Sequence, residues 1–531
     1  MSNLLEKASI ILTPTAYSDG TLHSIKPIQT FGSELITNGD FATDSDWTLN
    51  AAWTISNGKA IYDNSASQSC EQSLNFEVGK KYLVNFEISD FTTNYRFDVY
   101  TGVSFIQSAI ITNQTSYSIL FDGDGGNKIR FRGLATGTGF SLDNVSVKEV
   151  INADFDFTRN TTSTRVNSSG NIESVAANLP RIDYLGGTGH ILLEPQSINL
   201  VPYSQTITEF SQTNATLFDN QTISPNGTQD AGGATKLGVN ANDRIRETIS
   251  VSNSTVYNIS AFVKNSTIAV GGVSTISFRV SGGTLFRKGY EWGASGLSFS
   301  SSQDSGTRTN EILEDYGNGW YRIGFSFTTD GTSGIFEIDL DRQNGSDTTT
   351  LFIWGAQLEE QSFATSYIPT SGSTVTRSAD VCNNSGSSDL INSTSGVLYA
   401  EIAALADDNT NRILGMSNGG DFNNSVLLRF SSASNRIQAQ VRLGGVYQCS
   451  LNYDVTDATE FNKIAFKYKQ NDFSLFVNGA ERATDASGDV IAGLDVLDFD
   501  ISNTNEFYGK VKCVAVFKEA LTDEELTCLT T

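Results

Sequence analysis

Between residues 82 and 88 the chain alternates in character. Tyr82, Val84, Phe86 and Ile88 fall on one side of an extended backbone, and Leu83, Asn85 and Glu87 on the other. Further strand-like runs follow along the chain, at 95–100, 117–121, 128–132 and 140–148, then at 256–263, 275–280, 320–328, 334–340 and 351–357. A third group follows at 396–400, 425–430, 437–443, 463–468, 473–477 and 508–517. Aromatic and β-branched residues facing uncharged polar ones are what half-buried antiparallel strands require. Turn signals separate the runs. Asp122-Gly123-Asp124-Gly125-Gly126 and Asn478-Gly479 each supply residues that accept a left-handed backbone. Only 521–526 reads as a helix, with Thr522 as its cap and acids in its first turn. The expected fold class is therefore all-β, built as tandem antiparallel β-sandwiches.

At roughly 150 residues per domain, 531 residues make three or four domains. Aromatics reach 10% and charged residues only 18%, the reverse of a disordered chain. The reading divides the chain into an N-terminal segment (1–33), a first β module (34–150), a connector with short strands (151–198), a second module (199–378) and a third (379–531). The first segment, with Ile10, Ile11 and Leu12, is expected either to anchor the chain on a neighbouring protein or to pack on the first module.

The formal net charge is −24. Such a surface repels a phosphate backbone and gives no polybasic grip on anionic lipid, so neither nucleic acid nor membrane is an expected partner. No apolar run approaches the ~20 residues of a membrane span. The first residues read as lacking a signal peptide, which suggests synthesis in a cytoplasm. The five cysteines show no CxxC spacing and read as buried free thiols. Cys382 with Cys449, or Cys513 with Cys528, is the alternative pairing. His23 and His190 are the only histidines, far apart and outside any ligand or triad pattern. His190 reads as an ordinary exposed residue. No phosphate-binding glycine loop is present. A carboxylate pair for glycoside hydrolysis is compatible with 59 acids, but no regular β-helix rung appears. The expectation is a non-enzymatic chain.

Certain stretches resemble known families. Glu34 to Phe41, with a tryptophan soon after and Phe140 to Val147 at the far end, resembles the ends of jelly-roll carbohydrate-binding modules. Asn199 to Ser204, Gly319-Trp320-Tyr321-Arg322 and Trp354 to Glu359 resemble a second jelly-roll type found in phage tail and fibre proteins. Phe363 to Ser378 is similar to the tail that follows it there. The connector, with Phe157-Thr158-Arg159, Thr164-Arg165-Val166, Pro180 to Tyr184 and Leu192 to Gln196, is similar to a segment of those same phage proteins. Phe473 to Gly479, Tyr508 to Val511 and Ala520 to Leu526 resemble a concanavalin A-like (laminin G-type) lectin domain.

The resemblance implies two jelly rolls and one concanavalin A-like sandwich on a phage virion surface protein, in a tail fibre, tail tip or head fibre. It implies binding to host cell-surface polysaccharide, other virion proteins as partners through the N-terminal segment, and a homo-oligomer, a trimer above all. A purely structural virion subunit and a polysaccharide depolymerase are the alternatives. The implied cofactor is a structural Ca²⁺ between opening turn and closing strand, at Asp40 and Asp143 with a backbone carbonyl near Asn38. Sugar binding by sandwiches uses exposed aromatics stacked on pyranose faces. Trp53, Tyr95 and Tyr100 are the candidates in the first module, and Tyr290 and Trp292, which read as part of an exposed Gly-rich loop, in the second. Trp47, Trp320 and Trp354 sit in strand-like contexts and read as core.

Overall fold

The computed structural model describes residues 4–27, 30–78, 80–237, 243–342, 349–501 and 506–531. It is all-β and folds as two compact units, one of residues 26–153 and one of residues 1–25 with 154–531.

In the unit 26–153 the alternation does what it predicts. The strand Lys81–Ser89 buries Tyr82, Val84, Phe86 and Ile88. It lies between Ser116–Asp122 and Phe140–Ile151 in a six-stranded antiparallel sheet. A five-stranded sheet runs in the order Phe105–Thr112, Tyr95–Tyr100, Lys128–Gly133, Gln68–Ser73, Thr48–Leu49. The two sheets close on an aromatic core. The Phe86 ring stacks on Tyr117 of its own sheet at 4.6 Å and meets Phe97 and Phe131 of the other edge-on at 5.7 and 5.0 Å. Such offset and edge geometries suit ring quadrupoles.

The second unit holds two further sandwiches. The middle one packs two six-stranded sheets around Tyr257, Phe278, Tyr290, Phe325, Phe327 and Phe336. The C-terminal one faces a five-stranded sheet with a larger sheet of eleven strands among the described residues. Asn478 and Gly479, both at positive φ, close the hairpin between Phe473–Val477 and Ala480–Asp485. The helix Asp523–Thr530 starts at Thr522, whose hydroxyl and the Glu525 carboxylate form a reciprocal capping box.

The N-terminal segment is corrected here. Ala8–Ser18 pairs antiparallel with Gly509–Phe517, placing Ile10 opposite Val516 and Leu12 opposite Val514. Ile10, Ile11 and Leu12 are buried, so they are core of the C-terminal sandwich and are not free to anchor on another protein. Sequence could not locate their partner, which lies some five hundred residues away.

The connector is built into the same unit. Phe155–Thr158 and His190–Leu193 join the large sheet, while Val166 and Ile172 pack with Phe262, Trp320, Trp354 and Tyr367 of the middle sandwich. Its charged residues converge in a dry hub. Arg159 and Arg181 both bond Asp380, and Arg181 and Arg377 both bond Glu194. Ser366 bonds Arg181, Arg377 and Glu194. All five cysteines are free; Cys70, Cys382 and Cys449 are buried.

Candidate functional site

The aromatics expected to stack on sugar divide sharply. Trp53 is buried, its indole donating to Gln68 O at 2.8 Å and packing on Tyr62 and Phe140. Tyr95 is fully buried, its hydroxyl 2.7 Å from that of Tyr117. Tyr290 and Trp292 were expected in an exposed loop and are corrected. They lie on the strand Leu285–Gly293 with inward side chains, alternating with outward Glu291 and Gly293. The Tyr290 hydroxyl lies 3.0 and 2.9 Å from the carbonyl oxygens of Ile312 and Gly324, which share its one proton, and accepts from Gly324 N–H; Trp292 donates to Ser274 Oγ at 2.9 Å. A ring with every polar atom paired in the core cannot meet a solvent glycan. His190 is also buried rather than exposed, and burial lowers its pKa.

Tyr100 alone of the five stays partly exposed. It sits on the outward side of the five-stranded sheet, and cross-strand register sets its neighbours. Phe105 lies opposite Tyr100, Tyr100 opposite Arg130, Arg130 opposite Glu71, and Glu71 opposite Thr48. One lateral row thus crosses all five strands. The Tyr100 and Phe105 rings are 5.0 Å apart. Arg130 lies over Tyr100 at 5.2 Å and Arg132 over Phe105 at 5.9 Å. Phe105 is 52% exposed, so the row offers a usable ring face. Arg130 and Lys128 bond Glu71; partial burial pushes that carboxyl up, and the two cations more than offset it and hold it below its ordinary range. Arg132 bonds Asp98 through Nε and Nη2. Sequence reasoning missed Phe105, Arg130 and Arg132. The signal was present: in Lys128-Ile129-Arg130-Phe131-Arg132 the period of two puts three cations on one face.

A second surface of the same construction lies on the C-terminal sandwich. The turn at Gly444-Gly445 joins Arg436–Leu443 to Val446–Asp454 and sets Arg442 opposite Tyr447. The Arg442 guanidinium lies 4.2 Å from the Phe422 ring centre and 5.0 Å from that of Tyr447. Tyr447 is 49% exposed. Polar side chains beside it are held in place: Asn424 accepts from Gly444 N–H and donates to Asp421, which also accepts from Asn423 N–H.

The residues expected to hold Ca²⁺ assemble only in part. The Asn38 carbonyl accepts from Trp47 Nε1 at 2.9 Å and from Phe41 N–H at 3.2 Å. Asp40 does bear on Asp143. Burial first, then Glu87 and Asp40, push the Asp143 carboxyl up. Among the described residues no group of three or more His, Cys, Asp and Glu is placed to hold a metal ion.

A polar cavity of about 90 Å³ in the second unit is lined in part by Asp183, His190, Glu314, Tyr316, Arg322 and Lys510. Its volume suits on the order of three waters, too few for a pyranose. Among the described residues no helix is long and apolar enough to cross a membrane.

Residues 388–527 match the family model described as the concanavalin A-like lectin/glucanases superfamily. No curated protein matches the chain in sequence. Among solved structures, the CBM40 of the Ruminococcus gnavus IT-sialidase bound to alpha2,3 sialyllactose is 19% identical, over 28% of this chain and 92% of its own, with a TM-score of 0.24. The CBM22-1-CBM22-2 tandem of Paenibacillus barcinonensis Xyn10C is 8% identical, over 62% of this chain and 98% of its own, with a TM-score of 0.22. SGBP-B from a xyloglucan utilization locus of Bacteroides uniformis is 9% identical, over 59% and 97%, with a TM-score of 0.21.

Proposed function

We propose that this protein recognises cell-surface glycan without transforming it, and does so as a surface component of a phage particle. The observation that carries the glycan reading is a repeated construction. Two separate sandwiches each present an arginine stacked on partly exposed aromatic rings beside fixed polar side chains. The second of these lies within the residues that match the lectin family. An exposed ring stacks on the apolar face of a pyranose, and Asn, Asp and Arg side chains meet its hydroxyls. Each surface is small, so each affinity is weak, and a trimer would multiply them through effective concentration. The connector's likeness to phage fibre proteins supports the virion assignment and the host polysaccharide as target.

The test is a glycan array and a host-cell pulldown with the full chain, comparing Tyr100→Ala with Phe105→Ala and Tyr447→Ala. Binding that falls in these variants while thermal unfolding is unchanged supports the reading. A folded protein that binds no glycan and no host cell sinks it and favours a spacer subunit of the particle.

A structural Ca²⁺ belongs to the same proposal, at Asp40 and Asp143. There it would neutralise two carboxylates that repel each other and tie the opening turn to the closing strand. Added Ca²⁺ should raise the unfolding temperature of the unit 26–153, and Asp143→Asn should remove that response.

A further inference from the structure

We infer that the outward face of the five-stranded sheet in the unit 26–153 selects acidic polysaccharide, with uronate or sulfate groups held by Arg130 and Arg132 and sugar rings stacked on Tyr100 and Phe105. The inference rests on the glycan-binding reading and adds the chemical class of the ligand.

Charge is the first argument. The chain carries −24 overall, a field that repels polyanions. On this face the sign reverses. The outward positions of the two adjacent strands Tyr95–Tyr100 and Lys128–Gly133 carry Arg96, Lys128, Arg130 and Arg132, against Asp98 on the same strands and Glu71 on the next. A surface kept only soluble would show the chain's general excess of acid here too.

Spare hydrogen-bonding capacity is the second. Arg130 gives Nε to Glu71, and among the described residues its two terminal nitrogens bond no protein group. Arg132 spends Nε and Nη2 on Asp98 and keeps Nη1. The internal carboxylates therefore orient both guanidinium planes without saturating them. A planar fork with free donors is suited to carboxylate and sulfate, and an ordinary hydroxyl uses less of it.

Geometry is the third. The row Phe105, Tyr100, Arg130, Glu71, Thr48 runs straight across five strands, a span of roughly 19 Å at the usual strand spacing. That is a track for a chain of sugars. The apolar rings lie at one end and the cations beside them, so ring stacking and charge pairing act on neighbouring parts of one polymer.

The experiment measures binding of the full chain to polygalacturonate and to dextran, a neutral polymer, at about 0.1 M and about 1 M salt, where the screening length falls from about 10 Å to about 3 Å. Wild type, Arg130→Gln and Phe105→Ala are compared. Both positions are partly or mostly exposed, and Glu71 keeps Lys128 when Arg130 is replaced, so both variants should fold; thermal unfolding checks this. Expected are preference for polygalacturonate, a loss of about tenfold in Arg130→Gln, a loss in Phe105→Ala and weakening at high salt. Equal affinity for the two polymers, or an Arg130→Gln variant that binds like wild type, overturns acidic selection and leaves glycan recognition standing. Binding to neither polymer by a protein that still binds host cells overturns this face as the site. Loss of all glycan and cell binding in the wild type is the separate failure of the function itself.

Discussion

Arg159 donates through Nη1 to the Asp380 carboxylate at 2.9 Å, across 221 positions of sequence, with neither side chain exposed to solvent. Arg181 bonds the other oxygen of the same carboxylate. One acid thus balances two buried guanidinium groups, and the Glu194 N–H donates to it as well, at 2.9 Å. Two charges taken out of water are stable only while every partner is present. Asp380→Ala should lower the stability of the unit that contains it by about 3–5 kcal/mol, because among the described residues it leaves the buried Arg159 without a carboxylate partner and Arg181 with Glu194 alone. Denaturant unfolding followed by tryptophan fluorescence measures this. A change below about 1 kcal/mol would show that water already reaches the hub.

Removal of residues 1–18 should unfold the C-terminal sandwich. Ala8–Ser18 covers one edge of Gly509–Phe517 and fills the core with Ile10 and Leu12. Its loss opens an unpaired strand edge, a template for aggregation. A truncated chain that keeps the association state and the unfolding temperature of the full-length protein would contradict the observed pairing.

Tyr290→Phe should weaken folding and leave glycan binding alone. The hydroxyl joins Ile312 and Gly324 inside the middle sandwich, and leaving those groups unpaired costs about 1–3 kcal/mol. Array binding by the folded variant, set beside its unfolding temperature, separates the two effects.

Acid should unfold the second unit in a definable window. Burial alone would push the Glu194 carboxyl up; Arg377 and Arg181 outweigh it and hold it at about 2, against an ordinary 4.5. A depressed carboxyl contributes stability above its unfolded pKa, so that contribution disappears as pH falls from 4.5 towards 2. His190 adds an earlier loss. Burial holds it below 6.5, so the unfolded chain takes up that proton first.

Asp498 acts in the opposite sense. Burial pushes its carboxyl up to about 6 from 3.8, so the folded state binds its proton more tightly. Its ionisation costs stability as pH rises through 3.8 to 6. Asp498→Asn should therefore stabilise the protein at pH 8 and not at pH 3, since an amide oxygen still accepts the Asn384 N–H. Unfolding curves at the two pH values decide it.

The strands were largely legible because their signal is local. The 82–88 alternation, the Asn478-Gly479 turn and the Thr522 cap each appear in the structure at the residues that carry them. Trp47, Trp320 and Trp354 are core, as strand context implied. The site was less legible. Period two says that Tyr290 and Trp292 share a face but not which face is wet, and the loop reading of that stretch chose the wrong environment. Phe105 and Tyr447 become platforms only through the partners opposite them.

By itself, then, the sequence determined an all-β chain with its turns and the C-terminal helix cap, because alternation and positive-φ residues act over a few positions. Tertiary structure alone decided that Ile10 belongs beside Val516, that Arg159 and Arg181 share Asp380, and that Tyr100 rather than Tyr95 reaches solvent. Those outcomes depend on strand order and register between residues far apart, and a pattern with period two is the same whichever neighbour a strand finds.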